Sequence, residues 1–452
     1  MAKRQTVKFV CSNCGTNYQA WVGRCDACGE WNTLQEEVTA STTLRSTGSF
    51  MGGQVLTTES VDASITKDHK RLVSGISDVD TVLGGGVVAG SVTLLAGQPG
   101  IGKSTLLLQL AYALAKSCSV LYVSGEESAH QIGLRAARLG VHHQALQLAT
   151  SNSTDDIVAT IDKGTYKLVI VDSIQSVAVN GVPTSPGTVS QITNSAQLLM
   201  QAAKQSDTAV IVVGHVTKEG IIAGPKILEH VVDVVLQLEG DRYGGFKVLR
   251  AIKNRFGSTN EAGIFEMFED GLKAVKNPSE SLLAERQASD GSIVLATLEG
   301  TRPLLVEVQA LVNRTSYGYP KRTASGFDLN RLNLLVAMLE RRTKLDLVDK
   351  DIYVNIVGGI KITEPAADLA VCMAIGSAAK GMQLKNNAVV FGEVGLSGEV
   401  RHVTFMDRRL AEAKKLGFNR AIGPVQRTGK KLTGLDGVSN VRTALNTYLE
   451  KS

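Results

Sequence analysis

Between Arg71 and about Val275 the chain repeats one pattern of polarity: a short run of apolar, mostly β-branched residues, a turn, then a helix-like stretch. SVTLLAG from Ser91, SVLYVSG from Ser119, KLVIVDS from Lys167 and TAVIVVGH from Thr208 are runs of this kind. The rhythm predicts a buried, mainly parallel sheet flanked by helices. It stops at KNPSE, where Pro278 marks a boundary. From about Ser281 new strand candidates (GSIVLATLEG, LLVEVQALV, DIYVNIVGGI) mix with helices such as DLNRLNLLVAMLERR, which predicts an α+β domain. Residues 36–70 are rich in Ser, Thr and Gly without sustained period and read as a flexible linker. Ahead of them, residues 1–35 hold two cysteine pairs and both tryptophans, Trp21 and Trp31. The expected organisation is a small finger over 1–35, a linker over 36–70, an α/β domain over 71–275 and an α+β domain over 281–452.

A chain of 452 residues exceeds what one hydrophobic core spans, in keeping with that division. A net charge of +5 permits a nucleic-acid partner without demanding one, since the distribution of charge matters more than its sum. The best apolar run, TLLLQLAYALA from Thr105, is short and carries Gln109, and the N-terminal MAKRQTVKFVCSNC lacks the apolar core of a signal peptide. Both point to a soluble, cytoplasmic protein with no membrane partner. Six cysteines fit that compartment, and the clustering of four of them points to metal rather than disulfides.

Gly97, Gln98, Pro99, Gly100, Ile101, Gly102, Lys103 and Ser104 match G-x-x-x-x-G-K-[ST] in full, between an apolar strand and the helix-like STLLLQLAYALAK. The glycines let backbone N–H groups turn inward around phosphates, and the helix N-terminus adds positive potential at the same point. Lys103 is expected on the β- and γ-phosphates of ATP and Ser104 on Mg2+, with Thr105 beside them. Asp172 closes KLVIVDS, where such a site needs a carboxylate to hold the magnesium. Glu126, with Glu127 as the fallback, lies just past SVLYVSG, placed to orient and deprotonate the attacking water. A solvated turn or a helix cap is the plainer use of either. His215, followed by Thr217 and Lys218, ends another strand where a polar group could register the γ-phosphate, although an isolated His is more often structural.

Cys11, Cys14, Cys25 and Cys28 form C-x2-C-x10-C-x2-C, four thiolates suited to a tetrahedral Zn2+ with no open position and hence a structural role. Gly15 and Gly29 follow the second cysteine of each pair, where a knuckle turn needs a permissive backbone. A domain this small would rely on its metal to fold. A redox pair is the rival reading, which the duplication disfavours. Cys118 and Cys372 lie in apolar helical contexts and read as core. In the stretch 313–322, Arg314, Tyr317, Lys321 and Arg322 interleave cations with aromatics, a combination that suits phosphate neutralisation and base stacking on single strands. From Arg401 to Lys431 nine Lys or Arg stand against two acids, a second candidate surface of a kind that is usually just solvated.

The four-cysteine finger, GQPGIGKST, YVSGEES, VDSIQS and above all Lys253-Asn254-Arg255-Phe256-Gly257 resemble the bacterial RadA (Sms) DNA-repair proteins, a branch of the RecA family, over nearly the whole chain. The resemblance implies a hexameric ring ATPase with a RecA-like P-loop core. It implies binding of single-stranded DNA and branch migration of recombination intermediates, with helicase-like movement, alongside the RecA recombinase. It also implies that Lys253 and Arg255 reach the γ-phosphate held by the neighbouring subunit, where a cation supplied in trans would stabilise charge developing in the transition state. A polar strand end feeding a turn at Gly257 is the plain alternative.

The region after 281 resembles the Lon protease domain but departs from it where a protease would act. Ile362-Thr363-Glu364-Pro365-Ala366-Ala367 carries Ala366 at the nucleophile's place, and the dyad lysine's place falls near Asp407. Alanine has no nucleophilic atom and aspartate cannot replace an activating amine, so an assembly and DNA-binding platform is expected rather than a protease. Besides a DNA-stimulated motor, three readings stay open. They are an ATP-regulated repair scaffold that does not translocate, an ATP-dependent protease, and a RecA-fold signalling kinase, a class that generally pairs two ATPase modules where this chain has one P-loop.

Overall fold

The computed structural model describes residues 7–11, 16–18, 21–31, 34–38, 58, 60, 71–215, 227–240, 245–316, 318–385, 387–426 and 432–451. Cys14, Thr217, Lys218 and Tyr317 lie outside the described residues, as do nearly all of the expected linker and the end of the basic run, 427–431. The chain divides into two compact units, Met1–Asp68 and His69–Ser452. In the first, Val7–Cys11 is the middle strand of a three-stranded antiparallel sheet, between Asn17–Tyr18 and Leu34–Val38.

The second unit is built on two sheets. In the first sheet six strands run parallel, in the order Val234–Gly240, Val92–Gly97, Ala209–His215, Leu168–Asp172, Val120–Ser124 and Leu146–Thr150. Phe246–Asn254, Ala262–Phe268 and Gly271–Ala274 extend it antiparallel beyond Val234–Gly240. What covers each face explains the continuous apolar runs. Leu95, Tyr122, Ile170 and Ile211 share a core with the helix Lys103–Ala115, whereas Leu94, Leu121, Val169 and Val212 share one with Thr154–Asp162 and Val189–Ser206. Successive side chains of a strand point to opposite faces, so both sets must be apolar. Gln109, the polar residue inside the first helix, is also accounted for. Its side chain accepts the Leu272 N–H (2.9 Å) and donates to the Leu272 carbonyl (3.1 Å), which fastens the antiparallel extension to the helix.

The second sheet has seven strands of mixed direction, in the order Arg322–Ser325, Lys350–Ile356, Arg302–Arg314, Ser292–Glu299, Ala388–Val390, Arg420–Pro424 and Leu435–Val438. Its core includes the helix Asp368–Lys380, buried from Asp368 to Ser377. Cys372 is in that core, but Cys118 is not in a helix: it lies half-buried just past Lys103–Ala115, where its thiol donates to the Leu114 carbonyl. Among the described residues no helix is long and apolar enough to cross a membrane.

Pro278 ends the sheet rhythm without opening a spacer. Lacking an N–H, it fits the first turn of the helix Pro278–Leu283, behind Asn277, whose side chain accepts the Glu280 N–H. That helix carries Leu282 into a core shared by Phe246 and Ile264 of the first sheet and Leu304 and Val306 of the second. Arg250 bonds Glu239 beside it and Glu299 of the second sheet (2.7 Å from Nη2), and Arg302 reaches back to Asp78 (2.8 Å).

Ala366 is buried in the 3-10 turn Pro365–Ala367, and its carbonyl accepts the Gly392 N–H at 2.7 Å. Asp407 is exposed in the first turn of the helix Met406–Lys415. Two residues on, Arg409 is wholly buried, pairs with Glu364 and donates to the Ala296 carbonyl at 2.7 Å. Glu364 also accepts the Thr297 hydroxyl (2.8 Å) and the Leu298 N–H (3.0 Å). A saturated ion pair thus ties the stretch that holds Ala366 to the helix that carries Asp407. Arg409→Met should leave that carboxylate without its cation and lower stability by about 3–5 kcal/mol, read as the shift in urea midpoint. Adding Glu364→Gln should recover part of the loss.

Candidate nucleotide site

Val92–Gly97 is buried along its whole length and ends in the glycine loop. A Cβ on Gly97 would lie 2.8 Å from the Leu238 carbonyl oxygen of the neighbouring strand, so only glycine fits there. Gly100 and Gly102 take positive φ (+78° and +115°), and the space above Gly100 is open where a Cβ would stand. Gly102 precedes the helix Lys103–Ala115, whose N-terminus has no side-chain cap. Its first N–H groups are left to face an anion.

Lys103 is almost fully buried, and its Nζ donates to the Gly97 carbonyl (2.9 Å), the Gln98 carbonyl (3.1 Å) and His215 Nδ1 (3.1 Å). Burial brings its pKa down from 10.5 to about 8, against the pull of Asp172 and Glu126. Burial, and then Lys103, lowers the His215 pKa as well. Asp172 Oδ2 accepts the Tyr122 hydroxyl at 2.5 Å, and burial beside that carboxylate pushes the phenol pKa up. Glu126 Oε1 accepts the Ser173 hydroxyl at 2.5 Å and stands 3.9 Å from His215 Nε2. Glu127 turns away: its carboxylate pairs with Arg135 (2.5 Å) on the helix Ala129–Arg138. The Ser124 hydroxyl accepts both N–H groups, of Glu126 (3.2 Å) and Glu127 (2.9 Å), which fixes the turn that separates them.

The ends of four parallel strands therefore bring Lys103, Ser104, Glu126, Asp172 and His215 together, with Thr105 in the first helical turn. An alcohol and a carboxylate suited to Mg2+, a loop suited to phosphates and a second carboxylate suited to a water all lie at one sheet edge. Tyr122 and Ser173 belong to the same cluster and were not singled out in the sequence. Tyr122 reads as one more apolar strand position, and Ser173 as the turn after Asp172.

Lys253 and Arg255 lie at the opposite end of the sheet from this cluster. Asp233, which is buried, accepts the Val92 N–H on Oδ2 (3.1 Å) and the Arg255 guanidinium on Oδ1 (3.0 Å). Val92 to Gly97 spans about 17 Å of strand, so Arg255 is far from its own chain's glycine loop. Lys253 Nζ donates to the carbonyls of Glu229 (2.6 Å) and Val232 (2.7 Å), and burial and Arg255 lower its pKa. Asn254 Oδ1 accepts the Phe256 N–H (2.9 Å), and the Phe256 carbonyl accepts Arg71 (2.8 Å). A Cβ on Gly257 would stand 3.0 Å from the Gly84 Cα. These four residues are occupied in building the turn, and the half-exposed Arg255 is the side chain it presents.

Of the other cations, Arg314 pairs with Lys350 and Arg322 with Ile352 on the strand between them, so Arg314, Lys321 and Arg322 share one end of the second sheet. Tyr319 there is 87% exposed. Acids unnoticed in the sequence accompany them: Asp349 on Arg314 (3.2 Å), Glu340 near Arg322 (3.9 Å) and Asp351 on the Lys321 N–H (2.7 Å).

In the first unit the Cys25 carbonyl accepts the Gly29 N–H (2.8 Å) with Gly29 at φ +77°, a tight turn that brings the buried Cys25 and half-buried Cys28 to one side. The Tyr18 hydroxyl is 3.3 Å from Cys25 Sγ. Two thiols on such a turn fit zinc ligation. Among the described residues no group of three or more His, Cys, Asp or Glu is placed to hold a metal ion; Cys14 lies outside them, and Cys11 is described only as a strand end.

Three family models match the chain: "AAA domain" over residues 60–220, "Rubredoxin metal binding domain" over 9–36 and "Subunit ChlI of Mg-chelatase" over 334–427. The chain is 46% identical to the DNA repair protein RadA of Bacillus subtilis (strain 168) over 99% of its own length and 100% of that protein. It is 48% identical to the DNA repair protein RadA of Brucella abortus (strain 2308) over 94% and 92%. Among solved structures, the RadB recombinase is matched over 45% of this chain and 100% of its own, at 23% identity and a TM-score of 0.36. The family matches agree with the expected fold class: a metal-binding ribbon, a RecA-like P-loop core on a mainly parallel sheet, and an α+β C-terminal region.

The Lys103 value has two consequences of opposite sign. Nucleotide binding needs the ammonium, so affinity should fall as pH rises through about 8. Between that value and the ordinary one the unfolded chain binds more protons, so the stability contributed by Lys103 should rise with pH over the same window. Nucleotide titrations and melting curves from pH 7 to 10 should show both trends, and Lys103→Met should flatten both.

Proposed function

Because the chain belongs to the RadA family of bacterial DNA repair proteins, we propose that it is a DNA-stimulated ATP hydrolase acting in DNA repair and homologous recombination. The convergence of Lys103, Ser104, Glu126, Asp172 and His215 at one sheet edge carries this reading. In it the loop 97–104 cradles the phosphates of ATP, and Lys103 leaves the Gly97 and Gln98 carbonyls to neutralise them. Ser104 and Asp172 would hold Mg2+, which supplies positive charge against the phosphate oxygens. Glu126, oriented by Ser173, takes the proton of the attacking water. Its 3.9 Å separation from His215, which also contacts Lys103, suits His215 to sense the γ-phosphate. The Arg135 pair of Glu127 favours Glu126 for this role.

Arg255 acts in trans in this reading. It sits at the far end of the sheet from its own loop and is half exposed, whereas the Lys253 amine is spent on backbone carbonyls and supports the turn. A cation given by one subunit to the next requires a head-to-tail contact, which closes into a ring or runs on as a filament, and we infer a homo-oligomer, a hexamer by family resemblance. Single-stranded DNA would run along Arg314, Tyr317, Lys321 and Arg322, and branch migration beside the RecA recombinase in the cytoplasm would be the work done. Cys11, Cys14, Cys25 and Cys28 would hold a structural Zn2+ in a finger over 1–35, ahead of a motor over 71–275 and a platform over 281–452. Ala366 and the Arg409–Glu364 pair weigh against proteolysis.

Steady-state hydrolysis with and without single-stranded DNA tests the reading. DNA should raise the rate, and Lys103→Ala and Arg255→Ala should each lower it by roughly a thousandfold. Mixing the two inactive chains should restore part of the rate, because intact loops then meet intact arginines across subunit boundaries. Hydrolysis that ignores DNA would leave the nucleotide site standing and favour the scaffold reading. A mixture that stays inactive would remove the trans role of Arg255.

A further inference from the structure

Tyr122 lies in the middle of the strand Val120–Ser124, and its ring is 1% exposed. Its hydroxyl donates to Asp172 Oδ2 at 2.5 Å. Asp172 thus has one oxygen engaged, which orients the carboxylate and leaves Oδ1. A carboxylate of set orientation is what a divalent cation requires of a ligand, and such orientation is ordinarily supplied by outer-shell hydrogen bonds.

We propose that Tyr122 is a positioning residue for the divalent cation of the nucleotide site, holding Asp172 by one oxygen so that the other is presented to the metal. The proposal rests on the reading of residues 97–104 as a nucleotide site, and its test separates the two. Binding of a fluorescent ADP to the full chain is measured in EDTA and along a Mg2+ titration. Tyr122→Phe should keep the wild-type melting temperature and EDTA affinity but need about tenfold more Mg2+ for half of the metal-dependent gain. Asp172→Asn should shift the same midpoint. The double variant should go no further than Asp172→Asn alone, since the phenol acts through that carboxylate. Coincident Mg2+ curves for Tyr122→Phe and wild type would overturn the proposal. So would additive shifts, an equal loss of affinity in EDTA, or a Tyr122→Phe chain that does not fold, each of which makes the hydroxyl merely structural or idle. Wild-type chain whose ADP binding ignores both Mg2+ and Lys103→Ala would instead overturn the nucleotide-site reading itself.

Discussion

A strand buried on both faces has no room for chemistry along its length. Val92 and Leu94 face one apolar core and Leu95 the other, and both edges of this strand are hydrogen-bonded to other strands. The charged groups of the site stand where the strands stop. Six parallel strands stop on the same side, and the glycine loop, Glu126, Asp172 and His215 all belong to that side. The buried environment that forces them there also sets their electrostatics. Burial draws the Lys103 pKa down to about 8, and three acceptors at about 3 Å keep its amine in place.

The second sheet is bound to the first by the same economy of placement. Leu282, Phe246 and Ile264 enter one apolar core with Leu304 and Val306, and Arg250 links carboxylates of both sheets. Burial there selects against exposed reactivity. Ala366 lies inside, and the nearby guanidinium of Arg409 is saturated by Glu364 and a backbone carbonyl.

What was legible in the sequence was local or periodic. The glycine loop is a contiguous pattern whose spacing is its geometry, and the apolar runs carry the sheet because a strand covered on both sides is mostly apolar on both faces. Contacts between distant segments left no such mark. Tyr122 on Asp172, Ser173 on Glu126 and Arg409 on Glu364 join residues that nothing in the chain aligns. The choice between Glu126 and Glu127 depends on which way one turn faces, and the Ser124 hydroxyl and Arg135 decide that in the folded chain. Pro278 was legible as a boundary but not as the start of a helix. It interrupts a pattern as a loop would, yet a residue without an N–H suits the first turn of a helix as well as a linker. Arg314 and Arg322 read as bare cations because the acids beside them come from Asp349 and Glu340, on other segments.

Asp233 serves two elements at once. One of its oxygens holds the Val92 N–H, where the central strand begins, and the other holds Arg255. The strand carries the glycine loop at one tip and is met by this carboxylate at the other. Drawing Arg255 away would strip a charge partner from a buried anion, a cost that falls where the central strand is anchored.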